Sequence, residues 1–313
     1  MDDRSAEPTK FWLLWRILDS WFGIWFFHFM ALIQRFSRPK LGQMKIVEIP
    51  RSSGDGAIRT WVVAPRETSQ PLPIVLHLHG GGYAIGAPYQ DFKSFDRYLA
   101  ARPCIFVAPQ YRRSVQAPFP AALDDAYDTL LWVRQNAKRL GGREDQIFVM
   151  GESAGGGLAA GVALLARDRA EVAIAALFPF YAMLDDQNIR STNLPRHALT
   201  WSVVHNRLAW TKYLDNADPG PVSPYAAPSR ASDLSHLPPS YGLIGQNDLF
   251  LQENKDFFDR LDQSGVPVRF KEFEDANHGI EQFSHKSETG RAIWDYCINC
   301  YSHAVDTCFA KQP

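Results

Sequence analysis

The chain has 313 residues, of which 46% are hydrophobic and 21% are charged, as in ordinary globular proteins. The 33 basic and 34 acidic side chains give a formal net charge of −1, so no basic excess points to a nucleic-acid partner. The four cysteines indicate no disulfide framework, and the acidic start MDDRSAEP lacks the basic region of a secretory signal. We therefore expect a reducing, cytoplasmic location.

The first predicted element is an aromatic-rich segment, residues 11–33, which contains four of the nine tryptophans. A helix of this composition could pack over an active site as a lid, lie on a membrane surface, or span a bilayer. The apolar run after Asp19 is shorter than the roughly 20 residues that a span requires. We assign residues 1–43 to a lid and leave peripheral membrane contact through residues 11–33 open.

From residue 44 onward, strand and helix patterns alternate along the chain. Apolar and β-branched runs predict eight strands: Met44–Ile49, Ala57–Ala64, Ile74–His79, Cys104–Pro109, Ile147–Met150, Ile174–Phe178 (ended by Pro179), Tyr241–Ile244 and Val268–Phe273. Helical patterns cover Asp91–Ala101, Ala121–Leu140, Ala154–Arg169, Gln252–Gln263 and Ser287–Phe309. This alternation indicates an α/β protein with a mostly parallel sheet, helices on both faces and an antiparallel edge near the N-terminus.

Residues 181–236 interrupt this alternation of strands and helices. They contain helix-like segments and a loop rich in proline and serine. We expect them to form a cap insertion within a catalytic domain that covers residues 44–313. The insertion lies between two predicted strands, which is where a lid over a strand-end site would be added.

A glycine–serine turn, Gly151-Glu152-Ser153-Ala154-Gly155, stands between a predicted strand and a predicted helix. The pattern G-x-S-x-G at such a junction is typical of a tight turn that exposes a nucleophilic serine. A structural, phosphate-binding loop is the alternative, but the Lys-Ser/Thr ending of a P-loop is missing. Ser153 is therefore the predicted nucleophile.

A serine nucleophile needs a general base and an acid that orients it. His278 follows the last predicted strand and Asp248 follows the one before it, in the chain order Ser153, Asp248, His278 expected for this architecture. Asp275 is the competing acid, but it shares the loop of His278 and is interpreted as a turn residue. His77 lies within a strand and is interpreted as a core histidine.

A glycine-rich loop, His79-Gly80-Gly81-Gly82, follows the third predicted strand. Consecutive glycines leave backbone N–H groups unobstructed by side chains. We predict that the N–H groups of Gly81, Gly82 and Ala154 stabilise a developing oxyanion, with His79 and Gly80 completing the loop motif.

The HGGG loop, the GESAG turn, Asp248 and His278 together resemble the hormone-sensitive-lipase-like branch of α/β-hydrolase esterases. The pair Tyr111-Arg112, the run PFPAALDD at residues 118–125 and Leu237-Pro238-Pro239 extend the resemblance over roughly residues 44–300. It implies the eight-stranded α/β-hydrolase fold with a helical cap, built from the N-terminal segment and the insertion. It also implies that neither a metal ion nor an organic cofactor takes part.

These features predict a serine carboxylic-ester hydrolase that acts on a hydrophobic small-molecule ester through an acyl-enzyme. The same site could support amide hydrolysis, dehydration or cyclisation instead, since a fold does not fix the chemistry. A hydrolase-derived binding protein is a remoter alternative, because such a protein typically lacks a triad member. The natural substrate, the acyl length and the oligomeric state, a homodimer included, stay open.

Overall fold

The computed structural model describes residue 29 and residues 34–187, 201–215 and 221–313. Apart from residue 29, the segment 11–33 lies outside this part of the chain, and so do residues 188–200 and 216–220 of the expected insertion. The lid and membrane hypotheses therefore stay predictions. Among the helices that are described, none has the length and apolar character that a bilayer crossing demands.

An eight-stranded sheet forms the centre of the molecule, in the order β1-β2-β4-β3-β5-β6-β7-β8. Its strands are β1 (Gly42–Pro50), β2 (Ala57–Pro65), β3 (Leu72–Leu78), β4 (Ile105–Pro109), β5 (Gly142–Glu152), β6 (Ala176–Phe180), β7 (Ser240–Gly245) and β8 (Val268–Phe273). Strand β2 pairs antiparallel with β1 and β4, and all other neighbours are parallel. The predicted fold class and the antiparallel N-terminal edge are both confirmed.

Helices of the described residues cover this sheet. They are α1 (Phe92–Ala101), α2 (Ala121–Leu140), α3 (Ala154–Arg169), α4 (Val203–Tyr213), α5 (Leu251–Gln263), α6 (Ile280–Phe283) and α7 (Glu288–Thr307). Helices α1 and α7 meet through Tyr98, whose ring lies edge-on to Trp294 and Tyr301, while α2 packs on α3. Helix α4 belongs to the stretch where the sequence predicts the cap insertion.

Strand β5 begins earlier than the sequence predicts, at Gly142 rather than Ile147. Its first residues are mostly polar, so hydrophobicity gives no strand signal there. Gly141 ends α2 in the left-handed conformation, at φ 79°, and the chain enters the sheet at once because Gly142 pairs with Leu72 of β3.

The prediction that Pro179 ends the sixth strand is wrong, since β6 continues to Phe180. Proline removes one donor from the ladder but leaves the carbonyls in place. Phe180 accepts a hydrogen bond from the Ser153 N–H at 3.0 Å, and the Tyr181 N–H donates to Leu243 at 2.9 Å. These bonds on both sides keep the chain in the sheet.

A buried ion pair anchors α2 to the loops after β1 and β4. The Asp125 carboxylate is fully buried, and its oxygens lie 2.8 Å from Arg51 Nε and 2.9 Å from Arg112 Nη2. The Arg112 backbone N–H also donates to Asp125 at 2.8 Å. Both oxygens of the buried carboxylate therefore have hydrogen-bond donors. A buried charge is tolerated only with such partners.

We predict that Asp125→Asn lowers the free energy of unfolding by about 3 kcal/mol, because two arginines lose their buried counter-charge. Urea unfolding followed by circular dichroism measures the change. Asp306→Asn is the matched control: its pair with Arg102 at 2.6 Å is more than half exposed on the aspartate side, so the urea midpoint should hardly move. Equal shifts in the two variants would contradict the assignment.

Candidate active site

Ser153 lies at the sharp turn between β5 and α3, as the G-x-S-x-G pattern predicts. Its backbone has φ 57° and ψ −123°, a strained conformation for a residue with a side chain. Strain of this kind costs on the order of 1–3 kcal/mol and persists only where the surroundings enforce it. Here the Ser153 N–H donates to Phe180 at 3.0 Å, and the Ser153 carbonyl accepts from Met183 at 2.9 Å.

Two glycines allow the backbones at this turn to touch. A Cβ at Gly151 would overlap the carbonyl oxygen of Gly155, and a Cβ at Gly155 would overlap the carbonyl oxygens of Leu78 and His79 at the end of β3. Any larger residue would therefore push the serine turn away from β3. The glycine requirement fixes where the serine stands relative to the loop that follows β3.

The structure brings Ser153, His278 and Asp248 into one hydrogen-bonded line. His278 Nε2 lies 2.8 Å from Ser153 Oγ, and His278 Nδ1 lies 2.7 Å from Asp248 Oδ2. In the tautomer that satisfies both contacts, Nδ1–H donates to the carboxylate and Nε2 accepts from the serine hydroxyl. This geometry is that of a serine nucleophile with its base and orienting acid.

The loops that carry the acid and the base are joined by backbone contacts. Asp248 Oδ1 accepts from the Phe250 N–H at 2.9 Å, which leaves Oδ2 for the histidine. The Asn247 N–H donates to Ala276 at 3.0 Å, and Gly245 has no room for a Cβ against the same residue. The loops after β7 and β8 are therefore fixed relative to each other.

Side chains from three elements enclose the imidazole of His278. The rings of Tyr181 and Phe250 stand edge-on to it, with centroids 5.0 Å and 5.1 Å away. The Tyr181 hydroxyl donates to Glu281 Oε1 at 2.6 Å, and burial raises the pKa of Glu281. These contacts limit rotation of the imidazole and keep Nε2 directed at Ser153.

The glycine loop after β3 is held through its carbonyls. The Tyr111 hydroxyl donates to the His79 carbonyl at 2.6 Å, and the Tyr111 ring stacks on the His79 ring at 4.2 Å. The Gly81 carbonyl accepts from the N–H groups of Ala84 and Ile85 at 3.1 and 3.0 Å. Because carbonyl and N–H of one peptide point in opposite directions, the Gly82 N–H faces away from these donors.

The predicted oxyanion donors border the same space as the nucleophile. Gly80, Gly81 and Gly82 line a cavity together with Ser153, and Ala154 is the first residue of α3, where helix N–H groups have no intrahelical acceptor. A Cβ placed on Gly80 would lie 3.5 Å from that of Ser153. The role of these amides as oxyanion donors stays a prediction.

Part of the expected insertion covers the glycine loop. The Trp201 ring lies where a Gly82 side chain would be, and Tyr213 of α4 stacks on Tyr83 with ring centroids 3.9 Å apart. Tyr83 is fully buried, and its hydroxyl donates to Met183 at 3.3 Å. Residues 201–215 therefore shape one wall of the site.

The cavity over Ser153 has a volume of about 690 Å³, within the range of small-molecule pockets. Its lining combines aromatic and charged side chains. Among the lining residues are Tyr181, Trp201, Phe283, Trp294, Lys93 and Glu281. A small molecule in this space would meet both apolar and polar surface.

The structure gives other places to Asp275, the competing acid of the sequence, and to Glu253, which follows Asp248 closely in the chain. Asp275 is exposed in a turn at φ 52°, as interpreted, and Glu253 stands in the first turn of α5, where its carboxylate accepts from the Leu184 N–H at 2.8 Å. Sequence reasoning did not identify Tyr181 and Glu281 as neighbours of the histidine. The position of Tyr181 directly after β6, at the strand-end edge, was the available signal.

We predict that Gly155→Ala lowers kcat at least about 100-fold, because the added methyl group must move Ser153 away from the loop after β3. Gly141→Ala is the control. It introduces a side chain at φ 79° with no atom within 4 Å, so it costs roughly 1 kcal/mol of stability and leaves kcat unchanged. Steady-state ester hydrolysis and thermal melts measure both. Full activity of Gly155→Ala would contradict the close-approach argument.

Comparison with known proteins places this site in a context. A family described as having the alpha/beta hydrolase fold matches residues 75–282. Carboxylesterase NlhH of Mycobacterium tuberculosis is 31% identical over 217 residues, which are 68% of this chain and 68% of that protein. An arylesterase of Saccharolobus solfataricus is 29% identical over 226 residues, 70% of this chain and 71% of that one.

Solved structures agree. A bacterial heroin esterase superposes with a TM-score of 0.81 at 29% identity and covers 90% of both chains. A hyperthermophilic esterase from the archaeon Pyrobaculum calidifontis superposes with a TM-score of 0.78 at 28% identity, covering 94% of this chain and 98% of that one.

Proposed function

The chain belongs to the alpha/beta hydrolase fold family, and from this premise we propose that it is a serine carboxylic-ester hydrolase with Ser153, His278 and Asp248 as its catalytic residues. One observation carries the proposal. The serine hydroxyl, the imidazole and the carboxylate form one line at 2.8 and 2.7 Å, beside a cavity that also meets the glycine loop. The resemblance to the hormone-sensitive-lipase-like branch agrees with this assignment.

Acylation begins with attack by Ser153 Oγ on the ester carbonyl while His278 Nε2 takes the hydroxyl proton. Asp248 keeps the imidazole in the tautomer that can accept this proton, and it stabilises the imidazolium that results. The carbonyl oxygen gains negative charge and accepts hydrogen bonds from the N–H groups of Gly81, Gly82 and Ala154. Each such donor contributes about 3 kcal/mol of transition-state stabilisation.

The tetrahedral intermediate collapses when the imidazolium returns its proton to the leaving alcohol, which leaves an acyl group on Ser153. Deacylation repeats the same steps with water as the nucleophile, and His278 accepts a proton from the water. The acid is released and Ser153 regains its proton. No residue other than the triad needs to change its charge during the cycle.

The substrate class follows from the cavity. Aromatic side chains of Tyr181, Trp201 and Trp294 supply apolar contact area, and the volume of about 690 Å³ suits a small molecule. A hydrophobic small-molecule ester is therefore the expected substrate. The known esterases among the relatives act on esters, which supports this choice over dehydration or cyclisation.

We predict that the wild-type protein hydrolyses p-nitrophenyl esters and that Ser153→Ala lowers kcat by about 10⁶-fold, since the nucleophile is lost. Asp248→Asn should lower kcat about 10⁴-fold, because the amide favours the wrong imidazole tautomer. Ser264→Ala removes a hydroxyl that caps α5 and does not line the cavity, so kcat should stay at the wild-type value. Wild-type rates in Ser153→Ala would overturn the proposal.

A series of esters with increasing acyl length, in the same assay, measures the length of acyl chain that the pocket holds. KM should fall with each added carbon until the acyl chain is longer than the cavity. Folded wild-type protein that turns over none of these esters would favour the non-hydrolytic or binding alternatives. A covalent acyl group on Ser153, detected by mass spectrometry, would separate hydrolysis from both.

A further inference from the structure

Three titratable side chains near the nucleophile have no place in the mechanism. They are the buried His77 on β3, the buried Asp91 just before α1, and Glu152, which directly precedes Ser153 and has a side chain that is 13% exposed. His77 Nε2 lies 3.2 Å from Glu152 Oε1 and 3.0 Å from Glu152 Oε2. On the other side of the ring, His77 Nδ1 lies 4.0 Å from Asp91 Oδ2. The imidazole thus stands between two carboxyl groups.

The surroundings of His77 are otherwise apolar. Its side chain is 1% exposed, and the rings of Phe95 and Phe106 stand edge-on to it at 4.8 and 6.2 Å. Glu152 and Asp91 are therefore the titratable groups that face it, from β5 and from the turn before α1. A buried polar side chain in apolar surroundings is retained only with partners, so the contact with Glu152 governs its state.

A metal ion does not explain this cluster, although its ligand-type atoms lie within 4.8 Å of one another. Imidazole binds a metal along the lone pair of one nitrogen, in the plane of the ring. The two carboxylates lie at different ring nitrogens, so no one position serves all three side chains. The arrangement is that of an imidazole hydrogen-bonded to Glu152 on one side, with the Asp91 carboxyl 4.0 Å from its other nitrogen.

The protonation states follow from burial and charge. Burial alone would lower the pKa of His77, but the carboxylates of Glu152 and Asp91 outweigh it, and the pKa is raised. Burial raises the pKa of Asp91 to about 8, against the opposing influence of His77. The raised pKa of His77 favours its charged form beside Glu152, and burial favours the protonated form of Asp91.

We propose that Glu152 and His77 are positioning residues that hold the serine turn against β3, the strand whose end carries the glycine loop. The proposal rests on the esterase function of Ser153. Ser153 itself is strained, and its backbone bonds reach Phe180 and Met183 on the side of β6. The contact between Glu152 and His77 fixes the same turn to β3, on the side of the glycine loop.

Glu152→Gln tests this directly, since it keeps the shape and removes the charge. We expect kcat per folded molecule to fall roughly 10–100-fold while KM stays within about two-fold, because a misplaced nucleophile weakens the transition state and not ground-state binding. His77→Leu should have the same effect. The double variant should be no worse than either single one, because both remove the same contact.

Asp125→Asn is the control for loss of a buried charge elsewhere: stability falls, but kcat per folded molecule stays at the wild-type value. Wild type and Ser153→Ala run in the same assay, so a failure of the esterase function itself shows either as inactive wild-type protein or as activity without Ser153. If kcat of both Glu152→Gln and His77→Leu stays within about two-fold of wild type while Ser153→Ala is inactive, the positioning role is wrong and the esterase function stands.

The pH profile of the wild-type protein gives a second readout, and the profile of Glu152→Gln is its control. As pH rises past about 8, Asp91 loses its proton, and its carboxylate then competes with Glu152 for the imidazole of His77. The wild-type kcat should therefore decline on the alkaline side, and Glu152→Gln should lack that decline. A wild-type kcat that stays constant up to about pH 10 would overturn the proposal.

Stability should show the same titration. Because the pKa of Asp91 is raised above its ordinary value of 3.8, the folded state binds this proton more tightly, and stability is lost as pH rises from about 4 to about 8. Asp91→Asn removes this dependence. Its urea midpoint, relative to wild type, should be higher at about pH 9 than at about pH 5. Parallel pH profiles for the two proteins would contradict the assignment.

Discussion

The contact between the backbone at Gly155 and the carbonyl end of β3 is the constraint on which the site depends. It sets the distance between Ser153 and the glycine loop, and it works only because no Cβ intervenes. The strain at Ser153 is its consequence, since the chain must reverse within one residue to pass from β5 into α3. Hydrogen bonds to Phe180 and Met183 hold that strained turn in place.

The parallel sheet brings the other parts of the site together, because it places the ends of its strands side by side. Strands β3, β5, β7 and β8 all end at the same edge, so the glycine loop, the nucleophile, the acid and the base converge without any long-range motif in the sequence. The acid and base loops then meet through the contact between Gly245 and Ala276, as the serine turn meets β3 through Gly155. Backbone proximity at glycine is thus used twice.

The triad residues and the succession of strands along the chain could be predicted from the sequence because their signals are local. Ser153 sits in a short motif between two periodic segments, and Asp248 and His278 each follow a recognisable apolar strand. The prediction that Pro179 ends β6 is wrong because the loss of one donor is a weaker effect than the hydrogen bonds on either side of the proline. Strand β5 was predicted too short because pairing, not hydrophobicity, specifies its polar start.

Contacts between distant side chains left no such local signal. The interpretation of His77 as a core histidine is right about its burial, but its partner Glu152 lies on another strand. Likewise, the contact between Trp201 and Gly82 joins the insertion to the glycine loop. These pairs depend on how strands and the insertion come together, which periodicity does not encode.

Covalent labelling with a fluorophosphonate, followed by peptide mass spectrometry, tests most directly whether Ser153 is a nucleophile activated by His278. Phosphonylation requires an activated hydroxyl. We expect an adduct on the peptide that contains Ser153 in the wild-type protein and none in a folded His278→Ala variant. An adduct on another residue, or no adduct on protein that hydrolyses esters, would contradict it.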